Sequence, residues 1–273
     1  MQTSAAFGQV QDSLSFIVSS YTDIAEWRAV VERLAGFQNA LELAHTQAAT
    51  KIGIHHADGN GKSLIVTGVE LDLPGGQPLI ANVNLSLGRG ESALLSGPSG
   101  VGKSTLLRAI AGIWPFGRGE IRVPSNTRVL FLPQKAYLPI GTLREAVSYP
   151  VPAGGVDDTN LREALDEVGL PELAGRLDET SHWALQLSPG EQQRIAFARV
   201  LVQKPDWLFL DEATSAVDEA TEARLYRLLR DRLPQTTLFS VGHRATLRPF
   251  HARQLFAQPD GTGPASIMEL TTE

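Results

Sequence analysis

The 273-residue sequence predicts an α/β fold built on a parallel sheet, and three observations carry that expectation. Four short runs, "SALLSG", "RVLFLP", "DWLFLDE" and "TTLFSVGH", are apolar at nearly every position, as strands covered on both faces are. Helical segments separate them, the alternation that parallel strands require. A glycine-rich loop directly follows the first run and opens a helix.

The elements follow in chain order. From Phe16 onward Ile17, Ile24, Trp27, Val31 and Leu34 recur at helical steps, and Arg28 is placed to pair with Glu32 one turn later. This predicts one long amphipathic helix ending near Gly36. The stretch "HTQAATKIGIHHADGNGKS" has no sustained period and reads as a linker. Two β-rich runs in "SLIVTGVELDLPGGQPLIANVNLSL" are parted by Pro74-Gly75-Gly76, a hairpin signal within a small antiparallel sheet. Between the second and third apolar runs, "GTLREAVSYP" through "LREALDEVGLPEL" to "EQQRIAFARVL" is mostly helical. The expected organisation is a leading segment 1–50 and a main domain 51–273, with a helical subdomain at about 137–200.

Composition narrows the function. With 42% hydrophobic and 20% charged residues the chain is of ordinary globular type, and its net charge of −6 argues against a sequence-independent nucleic-acid binder. No nucleic-acid partner is expected. The absence of cysteine excludes disulfides and thiolate metal sites. Met1 to Ser20 lacks the basic start and compact apolar run of a cleavable signal. No window reaches the ~18 consecutive apolar residues of a membrane helix, so the chain is not expected to cross a membrane alone.

"GPSGVGKS" satisfies G-x-x-x-x-G-K-[ST] between a strand and a helix, where the chemistry needs it. Gly97, Pro98, Ser99, Gly100, Val101 and Gly102 turn backbone N–H groups inward around a triphosphate. Lys103 reaches the β/γ oxygens, Ser104 offers a hydroxyl to Mg²⁺, and Thr105 continues the helix start. A second "GKS" at Gly61 to Ser63 has His56 in the first-glycine position and no recognisable strand before it, so it reads as linker. Asp211 and Glu212 close a buried strand, where one carboxylate serves the metal's water shell and the next polarises an attacking water. His243, after the next strand, is placed to donate to a γ-phosphate. In "LSPGEQQR", Ser188 and Glu191 form a capping box with Pro189 at the first helical position, and the helix start suits a phosphate.

"GPSGVGKST", Gln134 in "FLPQKAY", "LSPGEQQR", "WLFLDEATSAVD" and "SVGHR" occur in the order of an ABC-transporter ATP-binding cassette, and the chain resembles that family over nearly its whole length. The resemblance implies a P-loop NTPase fold with a RecA-like core, an antiparallel β-subdomain and a helical subdomain, preceded here by the amphipathic helix. It also implies ATP and Mg²⁺ as cofactors and ATP hydrolysis as the activity. Two cassettes would pair head to tail as a homodimer around ATP, with Ser188, Gly190 and Glu191 meeting nucleotide held by the partner. Glu212 would act on the water, and Ser104, Gln134 and Asp211 would serve the metal. Gln134 would also couple to a membrane domain, and Asp218 would touch the partner copy.

"AGIWPFGRGEI", "PIGTLREAVSYP", Trp183 and "GHRATLRPFH" resemble the branch of peroxisomal fatty-acyl half-transporters and bacterial peptide or cobalamin uptake half-transporters. In that branch a membrane domain precedes the cassette on one polypeptide. "SAAFGQVQDSLSFIVSS" then matches the end of a last membrane helix, and the cassette is expected at the cytoplasmic face of the inner membrane. A soluble ABC ATPase and a separately encoded ATPase acting on membrane subunits in trans are the alternatives. Neither a coiled-coil interruption nor a second cassette is present in the sequence, and the leading helix counts against the trans arrangement.

Two positions depart from the family pattern. Pro189 and Glu191 stand where Gly and Gln are commoner, and both keep the capping role. Cassettes usually stack adenine on an aromatic ring in the first hairpin, but the equivalent place here holds Leu73 and Pro74. ATP and GTP should therefore be discriminated only modestly. Leu73→Tyr is expected to tighten ATP binding in a fluorescent-analogue titration, and the absence of any gain would remove Leu73 from the base site.

Overall fold

The structure, a computed structural model, describes residues 2–49, 53–59, 63–261 and 263–270. The chain divides into two compact units, Met1–Ile52 and Gly53–Glu273. The first is a single helix, α1 (Gln2–Ala49), roughly 70 Å long at 1.5 Å per residue. The predicted stop near Gly36 is therefore corrected. One interior glycine costs only about 1 kcal/mol, and the Ala, Leu, Gln and Glu residues of "FQNALELAHTQAA" offset it. Ile24, Trp27, Val31 and Leu34 lie exposed on one stripe with Val30, Phe37 and Leu41, and Arg28 pairs with Glu32 at 2.8 Å. No helix among the described residues is long and apolar enough to cross a membrane.

The second unit begins with β1 (Ile54–Gly59), β2 (Ser63–Asp72), β3 (Pro78–Gly88), β4 (Ser92–Ser96) and α2 (Lys103–Ile110). It continues through β5 (Gly117–Pro124), β6 (Val129–Leu132), β7 (Gly141–Thr142), α3 (Leu143–Ser148), α4 (Asp158–Glu167), β8 (Thr180–Ser181) and α5 (Trp183–Gln186). It closes with α6 (Pro189–Gln203), β9 (Trp207–Asp211), α7 (Glu219–Arg232), β10 (Thr237–Val241), β11 (Arg253–Gln258) and β12 (Ser266–Leu270).

β2 and β3 form the expected hairpin, and the sheet they belong to runs β1-β5-β2-β3. It is mixed, because β1 pairs in parallel with β5 from Ile54↔Gly119 to Gly59↔Pro124. The linker expected before residue 63 is thus largely helix and strand. β1 is a polar strand held by its ladder, so its sequence shows no apolar period. A strand does precede the second "GKS", but at Ser63 a strand follows in place of the helix that a phosphate loop needs. Gly61 and Lys62 lie outside the described residues.

The larger sheet runs β12-β11-β4-β10-β9-β6 and contains all four apolar runs as parallel neighbours. Their continuous hydrophobicity has a direct cause. Leu208 and Leu210 join the apolar cluster of the helical subdomain and α7, while Trp207 and Phe209 join the opposite cluster with α2 and the smaller sheet. Phe131 stacks on Phe209 at 4.4 Å in that second cluster. The helical subdomain packs α3 and α4 on α6, with Trp183 fully buried and its indole N–H donating to the Gly141 carbonyl at 3.1 Å.

Behind β10 a neutral polar network is buried. His251 Nδ1 donates to the Leu247 carbonyl at 2.9 Å, so its Nε2 accepts from Ser240 Oγ at 2.8 Å, and the Tyr226 hydroxyl donates to the same Ser240 oxygen at 3.2 Å. Burial pushes the His251 imidazole down to about 4 from 6.5, opposed by the hydrogen bond to Leu247. Between those values the unfolded chain binds a proton that the folded chain excludes, so stability rises with pH across this window. Urea unfolding of wild type is expected to lose stability from pH 6.5 towards pH 4 more steeply than unfolding of His251→Gln. Parallel pH profiles for the two proteins would refute the assignment.

Candidate functional site

β4, β6, β9 and β10 run the same way, and their registers align Leu95 with Val241, Val241 with Asp211 and Leu132 with Leu210. The loops that follow them therefore leave the sheet on one edge. These are residues 97–102, 133–135, 212–218 and 242–244.

The first loop is the phosphate-binding candidate. Gly97, Gly100 and Gly102 have φ of 142°, 80° and 102°, a region L side chains rarely occupy. A Cβ at Gly97 would stand 2.6 Å from the Ala257 carbonyl, and one at Gly102 2.8 Å from Ile80 Cδ1. Lys103 is 5% exposed, and its ammonium donates to the Gly97 and Pro98 carbonyls at 2.9 and 2.8 Å. Burial lowers its pKa, with Glu212 and Asp211 raising it in return. Ser104 Oγ donates to Asp211 Oδ1 at 2.6 Å, and Gln134 Nε2 donates to Glu212 Oε2 at 3.1 Å. The structure thus brings Lys103, Ser104, Gln134, Asp211 and Glu212 together. Ser104, Gln134 and Asp211 also line a groove of about 480 Å³ with Leu107, Phe131 and Lys135.

Glu212 has φ 47°, an αL conformation that costs a non-glycine residue about 1–3 kcal/mol unless its surroundings impose it. Its N–H donates to the Val241 carbonyl at 3.0 Å, and its carbonyl accepts from Ser215 N at 3.0 Å. His243 is exposed and lines a small hollow with Glu212, Thr214, Ser215 and Arg244.

Ser188 caps α6 as the sequence indicates. Its N–H and hydroxyl donate to Glu191 Oε2 at 2.8 and 2.6 Å, while Glu191 N donates back to Ser188 Oγ at 3.3 Å. These bonds, side chain first, hold the Glu191 carboxyl below its ordinary range. Gly190 packs so closely on the following loop that a Cβ would lie 3.0 Å from the Ala216 carbonyl. Among the described residues no hydrogen bond joins Ser188, Gly190 or Glu191 to residues 97–105. Asp218 caps α7, accepting from Thr221 N and Oγ1 at 2.9 and 2.7 Å.

Leu73 sits in the turn between β2 and β3, its N–H donating to the Gln77 carbonyl at 2.8 Å. Sequence reading missed the aromatic pair that braces this turn. Trp114 Nε1 donates to the Asp72 carbonyl at 3.0 Å and meets Phe116 edge-on at 5.4 Å. It also missed Gln193, 4% exposed on α6, whose amide joins the Gln134 and Ala216 backbones, and Arg244 beside His243. A buried amide in the polar first turns of a helix and one arginine in a loop carry no period or spacing of their own. β11 and β12, which complete the sheet beyond β4, were likewise not picked out.

The donor set fits a magnesium nucleotide. Ser104 and Asp211 present hard oxygens side by side, the ligands magnesium prefers, next to a buried ammonium at a helix N-terminus.

Residues 80–215 match the family described as ABC transporter. An uncharacterized ABC transporter ATP-binding protein of Haemophilus influenzae is 44% identical over 228 residues, covering 84% of this chain and 38% of that protein. The lysosomal cobalamin transporter ABCD4 of Homo sapiens is 39% identical over 210 residues, covering 72% of this chain and 34% of that one. A solved structure of a bacterial Atm1-family ABC exporter with ATP bound shares the fold, with a TM-score of 0.63 and 24% identity over 80% of this chain and 42% of its own. The chain therefore spans well under half the length of these proteins, and the human relative lies in the branch expected from the sequence. Four parallel strands deliver a phosphate loop, two carboxylates, a glutamine and a histidine to one edge, and the chain belongs to the ABC transporter family as an ATP-binding domain.

Proposed function

We propose that this chain is the ATP-hydrolysing part of a half-transporter, working as a head-to-tail homodimer at the cytoplasmic face of a membrane. The observation that carries the hydrolytic reading is the pair of hydrogen bonds Ser104–Asp211 and Gln134–Glu212 beside the buried Lys103 ammonium. Bound magnesium would supply charge neutralisation at the phosphates. The residues supply the rest. Lys103 turns its ammonium from the Gly97 and Pro98 carbonyls to β/γ oxygens, while Ser104, Gln134 and Asp211 would hold the metal. Glu212 accepts the proton of the attacking water, oriented by the Gln134 amide, and His243 donates to the γ-phosphate. Ser188, Gly190 and Glu191 meet the nucleotide of the second copy through the capped start of α6, a positive helix end. Asp218 then lies at the same dimer seam.

The transport reading draws support from relatives that are transporters longer than this chain. It also draws on the exposed stripe of Ile24, Trp27, Val31 and Leu34, large apolar side chains that a neighbouring membrane-domain helix would cover. Leu73 offers the base an apolar surface, 36% exposed.

Glu212→Gln keeps the side-chain shape and removes the base. It should bind ATP as wild type does, lose turnover by about 100-fold or more, and accumulate a dimer with ATP in size-exclusion chromatography. Undiminished hydrolysis would remove Glu212 from the role of base.

A further inference from the structure

The residues after β9 have no ladder partner, so the backbone of Thr214–Val217 must find hydrogen bonds elsewhere. Turn bonds from Ser215 N and Val217 N satisfy part of this need, and two side chains from separate elements supply further bonds. Gln193, buried in α6, accepts from Ala216 N at 2.9 Å and donates to Ser215 Oγ at 3.2 Å and to the Gln134 carbonyl at 3.0 Å. Arg244 approaches from the loop after β10 and donates to the Val217 carbonyl at 2.8 Å and the Ser215 carbonyl at 3.2 Å. Its guanidinium is aimed by Glu222, 1% exposed, at 3.5 Å. That carboxylate also takes hydroxyl bonds from Thr214 at 2.6 Å and Thr246 at 2.7 Å.

This segment in turn holds Glu212. Ser215 N donates to the Glu212 carbonyl at 3.0 Å, closing the turn that keeps Glu212 at φ 47°. Gln193 also fixes the backbone of Gln134, whose amide donates to Glu212 Oε2 at 3.1 Å. One amide therefore controls both the backbone of the base and the partner of its carboxylate.

We propose that Gln193 and Arg244 are positioning residues for hydrolysis, a two-sided clamp on Thr214–Val217 that holds Glu212 in its left-handed conformation against Gln134. The proposal rests on the reading of Glu212 as the base. It acts on the chemical step, because the clamp touches neither the loop 97–102 nor Lys103.

The test uses the full chain with Gln193→Leu, Arg244→Lys and the double variant. Gln193→Leu is expected to lower kcat at least about tenfold while KM and the affinity for a fluorescent ATP analogue stay within about twofold. Hydrogen–deuterium exchange of the 213–217 amides should accelerate about tenfold, with β4, β9 and β10 unchanged. Arg244→Lys should show the same split to a smaller degree, and the double variant should lose less than the product of the single losses. If Gln193→Leu does not fold, Arg244→Lys is judged by the same criteria. A wild-type chain without ATPase activity overturns the function and the clamp together. Active wild type with variant kcat within twofold, with KM rising as kcat falls, or with exchange accelerating throughout the cassette overturns the clamp alone.

Discussion

The parallel ladder of β4, β10, β9 and β6 is the constraint on which the site depends. Strands that run the same way must deliver their following loops to the same edge, so residues as far apart in sequence as Gly97, Gln134, Glu212 and His243 converge without any long excursion. The ladder stays in register because every strand is covered twice. Trp207 and Phe209 press on one layer while Leu208 and Leu210 press on the other, and a one-residue slip would exchange the two sets. Packing in the core thereby sets the alignment of groups that must meet within hydrogen-bond distance at the edge.

Two sets of polar groups in the cassette differ in what they bond. Ser240, His251 and Tyr226 form a neutral network within the α7 side of the core, bonded to one another and, through His251 Nδ1, to the Leu247 carbonyl. Gln193 and Arg244 instead spend theirs largely on loop backbone next to the site, and Glu222 aims Arg244 while accepting from the Thr214 and Thr246 hydroxyls. A backbone segment that leaves a sheet has donors and acceptors to satisfy. Side chains that meet this need from two directions leave the segment little freedom to rotate.

Much of this was legible in the sequence because the signals were local. The P-loop, the apolar strands, the Pro74-Gly75-Gly76 turn and the Ser188–Glu191 box each depend on a few adjacent residues, and each appears where expected. What escaped depends on distant partners. β1 is a strand only because β5 pairs with it, and α1 passes Gly36 because its flanking residues outweigh one glycine. Gln193 looked like one more polar residue of a helix, and only the fold places its amide between Gln134 and Ala216. Trp114 escaped because an aromatic was sought within the hairpin, while the ring arrives from beyond α2.

Gly102 shows how narrowly the phosphate loop is framed from behind. The space a side chain there would need is filled by Ile80 and Leu79, residues of the smaller sheet rather than of any nucleotide. Glycine at this position is therefore demanded by the fit of two layers of the cassette as well as by phosphate chemistry. A descendant that had abandoned ATP altogether would still be under pressure to keep it, so this glycine by itself is a poor witness to retained activity. The Ser104–Asp211 contact, a hydrogen bond between two polar side chains, is the better one.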